Sequence, residues 1–212
     1  MRVTKYEHAA LLIEAEGKAL VVDPGIFTNP LPDVHNVVAL VLTHQHADHW
    51  TADHLDRILR TTGQIPIYAP ADVAGAAAGY DITVVSPGDS VRIGPFALEF
   101  FGGEHAVIHE SLPLVDNVGV LVNEQFYYPG DSYAVPRGRS IALLAAPVGA
   151  PWLKIGEAMD FVLAVAPRRA FATHDMTLST IGREMGRERL KWAVEQGGGE
   201  FVALDPGEAI DI

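Results

Sequence analysis

Cysteine is absent from the 212 residues. Disulfides, thiolate metal sites and cysteine nucleophiles are therefore excluded. Basic residues are scarce: 15 Lys and Arg stand against 27 Asp and Glu, a net charge of −12. A nucleic-acid partner needs a basic stripe to collect phosphates. The one arginine-rich run, Arg183 to Lys191, is interrupted by Glu184 and Glu188 and reads as a solvated helix face. No apolar run approaches the roughly 18 residues of a membrane-spanning helix. The opening MRVTKYEHAA has no apolar signal core. The expectation is a soluble cytoplasmic protein with neither a nucleic-acid nor a membrane partner. With 49% hydrophobic and 20% charged residues the composition is globular. The length fits one domain, residues 1–212, made of two similar halves of roughly 1–90 and 91–212.

Short β-like runs dominate the first half. Ala10–Glu14 and Lys18–Asp23 flank Gly17 as a hairpin. Val37–Thr43 (VVALVLT) is continuously apolar, as a strand buried on both faces would be. Helical spacing follows over Thr51–Thr61, a short helix over Ala71–Gly79, and strands near Thr83–Val85, Ser90–Ile93 and Phe96–Phe101. The second half repeats the theme with a hairpin over Asn117–Asn123 and Gln125–Tyr128. A strand is expected over Ile141–Ala146, a helix over Lys154–Ala166, a strand over Ala170–Thr173, a helix over Thr180–Gln196 and a last strand over Phe201–Leu204. In both halves a hairpin delivers an aspartate beside a Pro-Gly turn: Asp23-Pro24-Gly25 and Pro129-Gly130-Asp131. Two sheets packed face to face with helices outside satisfy this α/β pattern.

Nitrogen ligands are what the chain has in excess. THQHADHWTADH, Thr43 to His54, carries four of the nine histidines. His44, His46, Asp48 and His49 form H-x-H-x-D-H directly after a buried strand, where a loop can be held rigidly. Imidazole and carboxylate suit zinc, and also manganese or iron. Four candidates in six residues exceed what one open metal needs, which points to two ions. His44 and His46 would serve one, Asp48 and His49 the other. More ligands must come from distant chain. His105, Asp131 and His174 lie at strand ends, with His109 an alternative to His105. Asp131 can bridge two ions about 3.5–4 Å apart and let them share a hydroxide. Two divalent ions less Asp48, Asp131 and one hydroxide leave about one positive charge, so an anionic small-molecule substrate is expected.

THQHADH and the later His, Asp and His resemble the metallo-β-lactamase superfamily over nearly the whole chain. YEHAALLIEAEGKALVVDPG, GGEHAVIH and APVGAPWLKIGEAMDFVLAVAPRRAFATHD are most similar to its L-ascorbate-6-phosphate lactonase-like metal-dependent hydrolases. The resemblance implies a four-layer αββα sandwich. It implies that His44, His46 and His105 bind one metal, that Asp48, His49 and His174 bind the second, and that Asp131 lies between them. It also implies that Asp23 orients a metal-binding histidine and that His8 stands near the site. Trp152 and Lys154 follow a Pro-rich turn that should face the pocket, where Lys154 would meet an anionic group. His54 reads as a surface or capping residue.

The resulting expectation is a dinuclear hydrolase in which a metal-bridging hydroxide attacks a lactone or ester, with Asp48 and Asp131 at the chemistry. A phosphodiesterase of the same fold and a non-catalytic metal-binding protein are the alternatives. Substrate identity, the metal and the oligomeric state stay open.

Overall fold

The computed structural model describes residues 1–32 and 35–212. The first sheet opens with β1 (Arg2–Lys5), β2 (Leu11–Ala15) and β3 (Lys18–Val22), all antiparallel. Glu16 and Gly17 join β2 to β3, both at positive φ (49° and 71°), the two-residue turn whose twist suits a hairpin. Then β4 (Val37–Val41), β5 (Ile67–Ala69) and β6 (Ile82–Val84) add in parallel. Between them run α1 (Ala52–Thr62) and α2 (Ala71–Ala76). The second sheet begins with β7 (Ser90–Ile93), β8 (Phe96–Glu104), β9 (Asp116–Val122) and β10 (Phe126–Tyr128), again antiparallel. It continues in parallel with β11 (Leu143–Pro147), β12 (Arg169–Thr173) and β13 (Glu200–Phe201), connected by α3 (Ile155–Val165) and α4 (Thr180–Gln196).

Three strands were not anticipated: β1, the short β5 and β14. β14 (Ala209–Asp211) crosses back to pair with β1, so the sheet orders are β14-β1-β2-β3-β4-β5-β6 and β13-β12-β11-β10-β9-β8-β7. Each sheet thus passes from antiparallel to parallel pairing, and β14 fills in the first sheet the place β7 has in the second. RVTK hides its strand character because Lys5, a charge, is buried. The expected last strand, Phe201–Leu204, shortens to Glu200–Phe201.

Packing explains the sequence patterns. Leu20, Val22 and Val41 face Phe100, Val120 and Phe126 between the sheets. Leu40 and Leu42 point the other way, to Leu55 and Ile58 of α1. β4 is therefore apolar at every position. Phe161, Val162, Leu190 and Val194 of α3 and α4 cover the outer face of the second sheet. The layers read helices, sheet, sheet, helices: the αββα sandwich. Caps set the helix ends. Thr51 and Ser179 side chains accept from His54 N and Gly182 N, and Ala166 closes α3 in the left-handed conformation before Pro167. Among the described residues no helix is long and apolar enough to cross a membrane.

A buried ion network stands behind the strand ends. Lys5 Nζ lies 3.4 Å from Asp175 Oδ1, with both side chains fully buried. Arg187 Nη2 lies 3.6 Å from Asp175 Oδ2 and donates to Leu204 O and Asp205 Oδ1 at 2.9 Å each. Burial draws the Lys5 ammonium below its ordinary pKa, against the opposing pull of Asp175.

Candidate metal centre

After β4 the chain leaves the first sheet through Thr43 and turns sharply, His49 N donating to His46 O at 3.0 Å. Gly25 lies directly beneath this turn. A Cβ there would collide with the backbone carbonyl of Asp48. Glycine is thus required by close approach. Gly25→Ala is expected to displace the His44–His49 loop, cost about 1–3 kcal/mol and reduce bound metal. Thermal melting and metal analysis would check it, and an unchanged metal content would remove this role for Gly25.

The loop and the second sheet bring together the residues picked out by spacing. His44, His46 and His105 have ligand atoms all within 4.8 Å of one another, as do His8, Asp48, His49 and His174, and as do His44, His49 and Asp131. Asp131 sits between the groups. Its Oδ1 is 3.2 Å from His49 Nε2, and its Oδ2 is 3.1 Å from His174 Nε2 and 3.4 Å from His105 Nε2. His174 Nε2 is also 3.4 Å from Asp48 Oδ2.

The hydrogen bonds fix the tautomers. His49 Nδ1 is 2.6 Å from Asp23 Oδ2, His105 Nδ1 2.5 Å from Ala106 O, and His174 Nδ1 2.6 Å from Gly149 O. Carboxylate and carbonyl only accept, so each Nδ1 carries the hydrogen. Thr43 Oγ1 donates to Asp23 Oδ2 at 2.6 Å and therefore accepts from His44 Nδ1 at 3.2 Å. Every one of these rings turns its Nε2 inward. Nε2 of His44, His49, His105 and His174, with Asp131 Oδ1, are buried atoms with no hydrogen-bond partner among the described residues. Five buried polar atoms without a hydrogen-bond partner, converging on one space, are costly unless a cation sits among them. This is the donor set and outer support that divalent ions take.

The electrostatics ask for the same thing. Burial would raise the Asp131 carboxyl, yet His49 and His174 hold it well below the usual carboxylate range. Burial would lower His49 and His174, but Asp131 raises both, His174 to about 9. Burial keeps His44 well below the ordinary histidine value, helped by His49 beside it. Protons on His49 and His174 supply positive charge to the protein alone, and metals would take their place.

A family model described as beta-lactamase superfamily domain matches residues 2–174. The chain belongs to the β-lactamase superfamily. Within it, a protein of Mycobacterium tuberculosis, Rv0786c, is 34% identical over 195 residues, 90% of this chain and 91% of that one. A UPF0173 metal-dependent hydrolase of Chelativorans is 32% identical over half of each chain, 50% and 49%. Among solved structures, the metallo hydrolase Igni18 of Ignicoccus hospitalis superposes with a TM-score of 0.74 at 17% identity, covering 99% of this chain and 97% of that one. YhfI of Bacillus subtilis, a metallo-β-lactamase fold protein, gives 0.74 at 17% identity, with 99% and 98% covered. By class the chain is a metal-dependent hydrolase of this fold.

The superfamily scaffold also sorts the remaining candidates. Asp23, at φ 48° and fully buried, accepts from Thr43 N, Thr43 Oγ1 and His49. His8 stands in the second cluster, but with the opposite tautomer. Met176 N donates to its Nδ1 at 3.3 Å, so its Nε2 carries hydrogen and donates to Asp48 Oδ2 at 3.2 Å. His8 therefore holds a carboxylate and offers no inward lone pair. Trp152 is buried and donates from Nε1 to Asp131 Oδ2 at 2.8 Å. His109 stays outside, exposed and bonded to Ser111 Oγ at 2.8 Å, whereas His105 is inside. Lys154 is not brought into the cluster. Its side chain is 78% exposed and its ammonium lies 4.0 Å from Glu157. His54 corrects its reading: it is buried, and its Nε2 donates to Thr28 O at 3.2 Å, pinning the loop after Gly25 to α1.

Three supports went unread in the sequence: the Thr43 hydroxyl, the Gly149 carbonyl and Asn117. Asn117 Oδ1 accepts from Asp131 N at 3.0 Å and its Nδ2 donates to Pro129 O at 2.9 Å, fixing the turn that carries Asp131. A carbonyl leaves no trace in residue type. An asparagine at the head of an apolar strand does, as a polar residue needing a buried partner.

Proposed function

We propose that the chain hydrolyses a lactone or ester of a small molecule with two divalent cations, zinc first, with manganese or iron as alternatives. The observation that carries this reading is the set of five buried, inward atoms without a hydrogen-bond partner, on His44, His49, His105, His174 and Asp131. His44, His46 and His105 would hold one ion, and Asp48, His49 and His174 the other, with Asp131 facing both. Ions held there would bring the pKa of a shared water to about 7 and polarise the carbonyl under attack. Asp23 and the Gly149 carbonyl keep His49 and His174 aimed inward. His8 fixes Asp48, and the Trp152 indole fixes Asp131. Asp131 and His44 are buried, and the part-exposed Asp48 and His46 leave the centre open to substrate.

The test is a hydrolysis panel on metal-loaded protein: sugar lactones and their phosphates, acyl esters and phosphodiesters, with metal content measured in parallel. Turnover of lactones or esters with about two ions per chain is expected. Turnover of phosphodiesters alone would replace the acyl reading. A chain that takes up no metal would overturn the proposal.

A further inference from the structure

We propose that the cavity beneath the 106–114 loop binds a compact, uncharged apolar group of the substrate, seated against His46 and His105. This rests on the hydrolase reading above and adds the substrate class. The cavity is about 200 Å³, and both histidines belong to its wall. It therefore opens onto the cluster that would hold the first ion. An apolar cavity of about 150 Å³ accepts a benzene ring, so the space fits a short alkyl or single-ring substituent.

The lining gives the chemistry. Val107, Ile108, Leu112 and Leu114 form most of it, with Pro113 and Val115. Val107 is 64% exposed, Leu112 52% and Leu114 47%. One exposed leucine needs no explanation, but four large apolar side chains around one opening beside a reactive centre do. Neither Lys nor Arg is among the lining residues, and Glu110 is. An anionic substituent would meet the Glu110 carboxylate, and the loop's own imidazole, His109, is engaged with Ser111 Oγ. Lys154, the cation expected to meet an anion, points to Glu157 instead. The positive charge of the centre thus serves the reacting carbonyl, while the remote group is neutral.

The cavity is also formed in advance. Ala106 N donates to Asp131 O at 2.8 Å and His105 N to Val115 O at 3.0 Å, tying both ends of the loop to the site. Leu112 N donates to His109 O at 3.0 Å and His109 Nδ1 bonds Ser111 Oγ at 2.8 Å, closing its tip. His109, which spacing offered as a ligand, thereby shapes this loop.

The experiment compares 4-nitrophenyl acetate, 4-nitrophenyl butyrate and mono-4-nitrophenyl succinate on the metal-loaded protein, each normalised to its spontaneous hydrolysis. Burial of a methylene favours binding by about fourfold, so kcat/KM should rise about fifteenfold from acetate to butyrate. The succinate, similar in length but charged at its end, should fall below acetate. Leu112→Asp, at an exposed position that spares the core, should flatten the rise. A succinate rate equal to or above butyrate, or a rise that survives Leu112→Asp, would overturn the inference. A second arm needs no turnover. Benzene titrated into the metal-free protein should shift the methyl NMR signals of Val107, Ile108 and Leu114 and leave them unmoved in Leu112→Asp. Wild-type methyls unmoved by benzene would overturn the cavity assignment. Silent esters with shifting methyls would count against the hydrolase reading alone and support the cavity.

Discussion

Asp131→Ala is expected to lower turnover by about 10³-fold or more, beyond the roughly 10- to 100-fold typical when an outer partner of a metal ligand is lost. Asp131 reaches both clusters, 3.4 Å from His105 Nε2 in the first and 3.1 Å from His174 Nε2 in the second. Its removal takes one negative charge from the space where two cations would crowd each other. Metal content should fall from about two ions per chain to about one. Asp131→Asn keeps the shape but not the charge and should fall nearly as far. Trp152→Phe, which removes only the 2.8 Å indole donor to Oδ2, should lose about 10- to 100-fold with both ions retained. Steady-state kinetics with metal analysis on the three variants separates the roles. Asp131→Ala with two ions and activity within tenfold of the parent would sink the bridging role.

The largest loss of stability should come from Asp175→Ala. The carboxylate has two cations beside it, the buried Lys5 at 3.4 Å and the part-buried Arg187 at 3.6 Å. Without it, Lys5 keeps, among the described residues, only the Tyr6 carbonyl at 3.1 Å, while Arg187 keeps Leu204 O and Asp205. Leaving a buried charge uncompensated costs about 3–5 kcal/mol. Replacing both members, as in Lys5→Met with Asp175→Leu, removes the stranded charge and should recover most of that loss. Urea unfolding of the single and double variants decides it. A single variant within about 1 kcal/mol of the parent would mean the network contributes no more than an exposed pair does.

The site was legible in the sequence to the extent that chemistry resides in residue type. H-x-H-x-D-H after an apolar strand located the loop, and strand-end position picked out His105, Asp131 and His174. The hairpins were readable from Gly17 and from the Pro-Gly turns. Less readable were features made by pairing across long distances. β1 and β14 are short and partly charged, and pairing makes them strands: β1 lies against β2, and β14 against β1 with Arg2 opposite Asp211. Lys5 and Asp175 look like surface charges until the fold buries them together beside the part-buried Arg187. His8 could be placed near the site, but its tautomer depends on the backbone amide of Met176. Lys154 shows the limit of proximity in sequence. It immediately precedes α3, and its side chain turns outward.

The two face-to-face sheets are joined along one edge of the sandwich at the metal centre. His44 bridges to Asn117, Val118 N donates to Thr43 O at 2.9 Å, and His174 N donates to His8 O at 2.8 Å. His44, His46, Asp48 and His49 come from the first sheet's side of this seam, and His105, Asp131 and His174 from the second's. Ions bound by both sets would act as a rivet between separately wound halves, absent from the unfolded chain. By mass action a ligand held only by the folded state adds about 2.7 kcal/mol at a hundredfold excess over its Kd. The supply of free metal would then govern how long the folded chain survives proteases, as well as whether it turns over substrate.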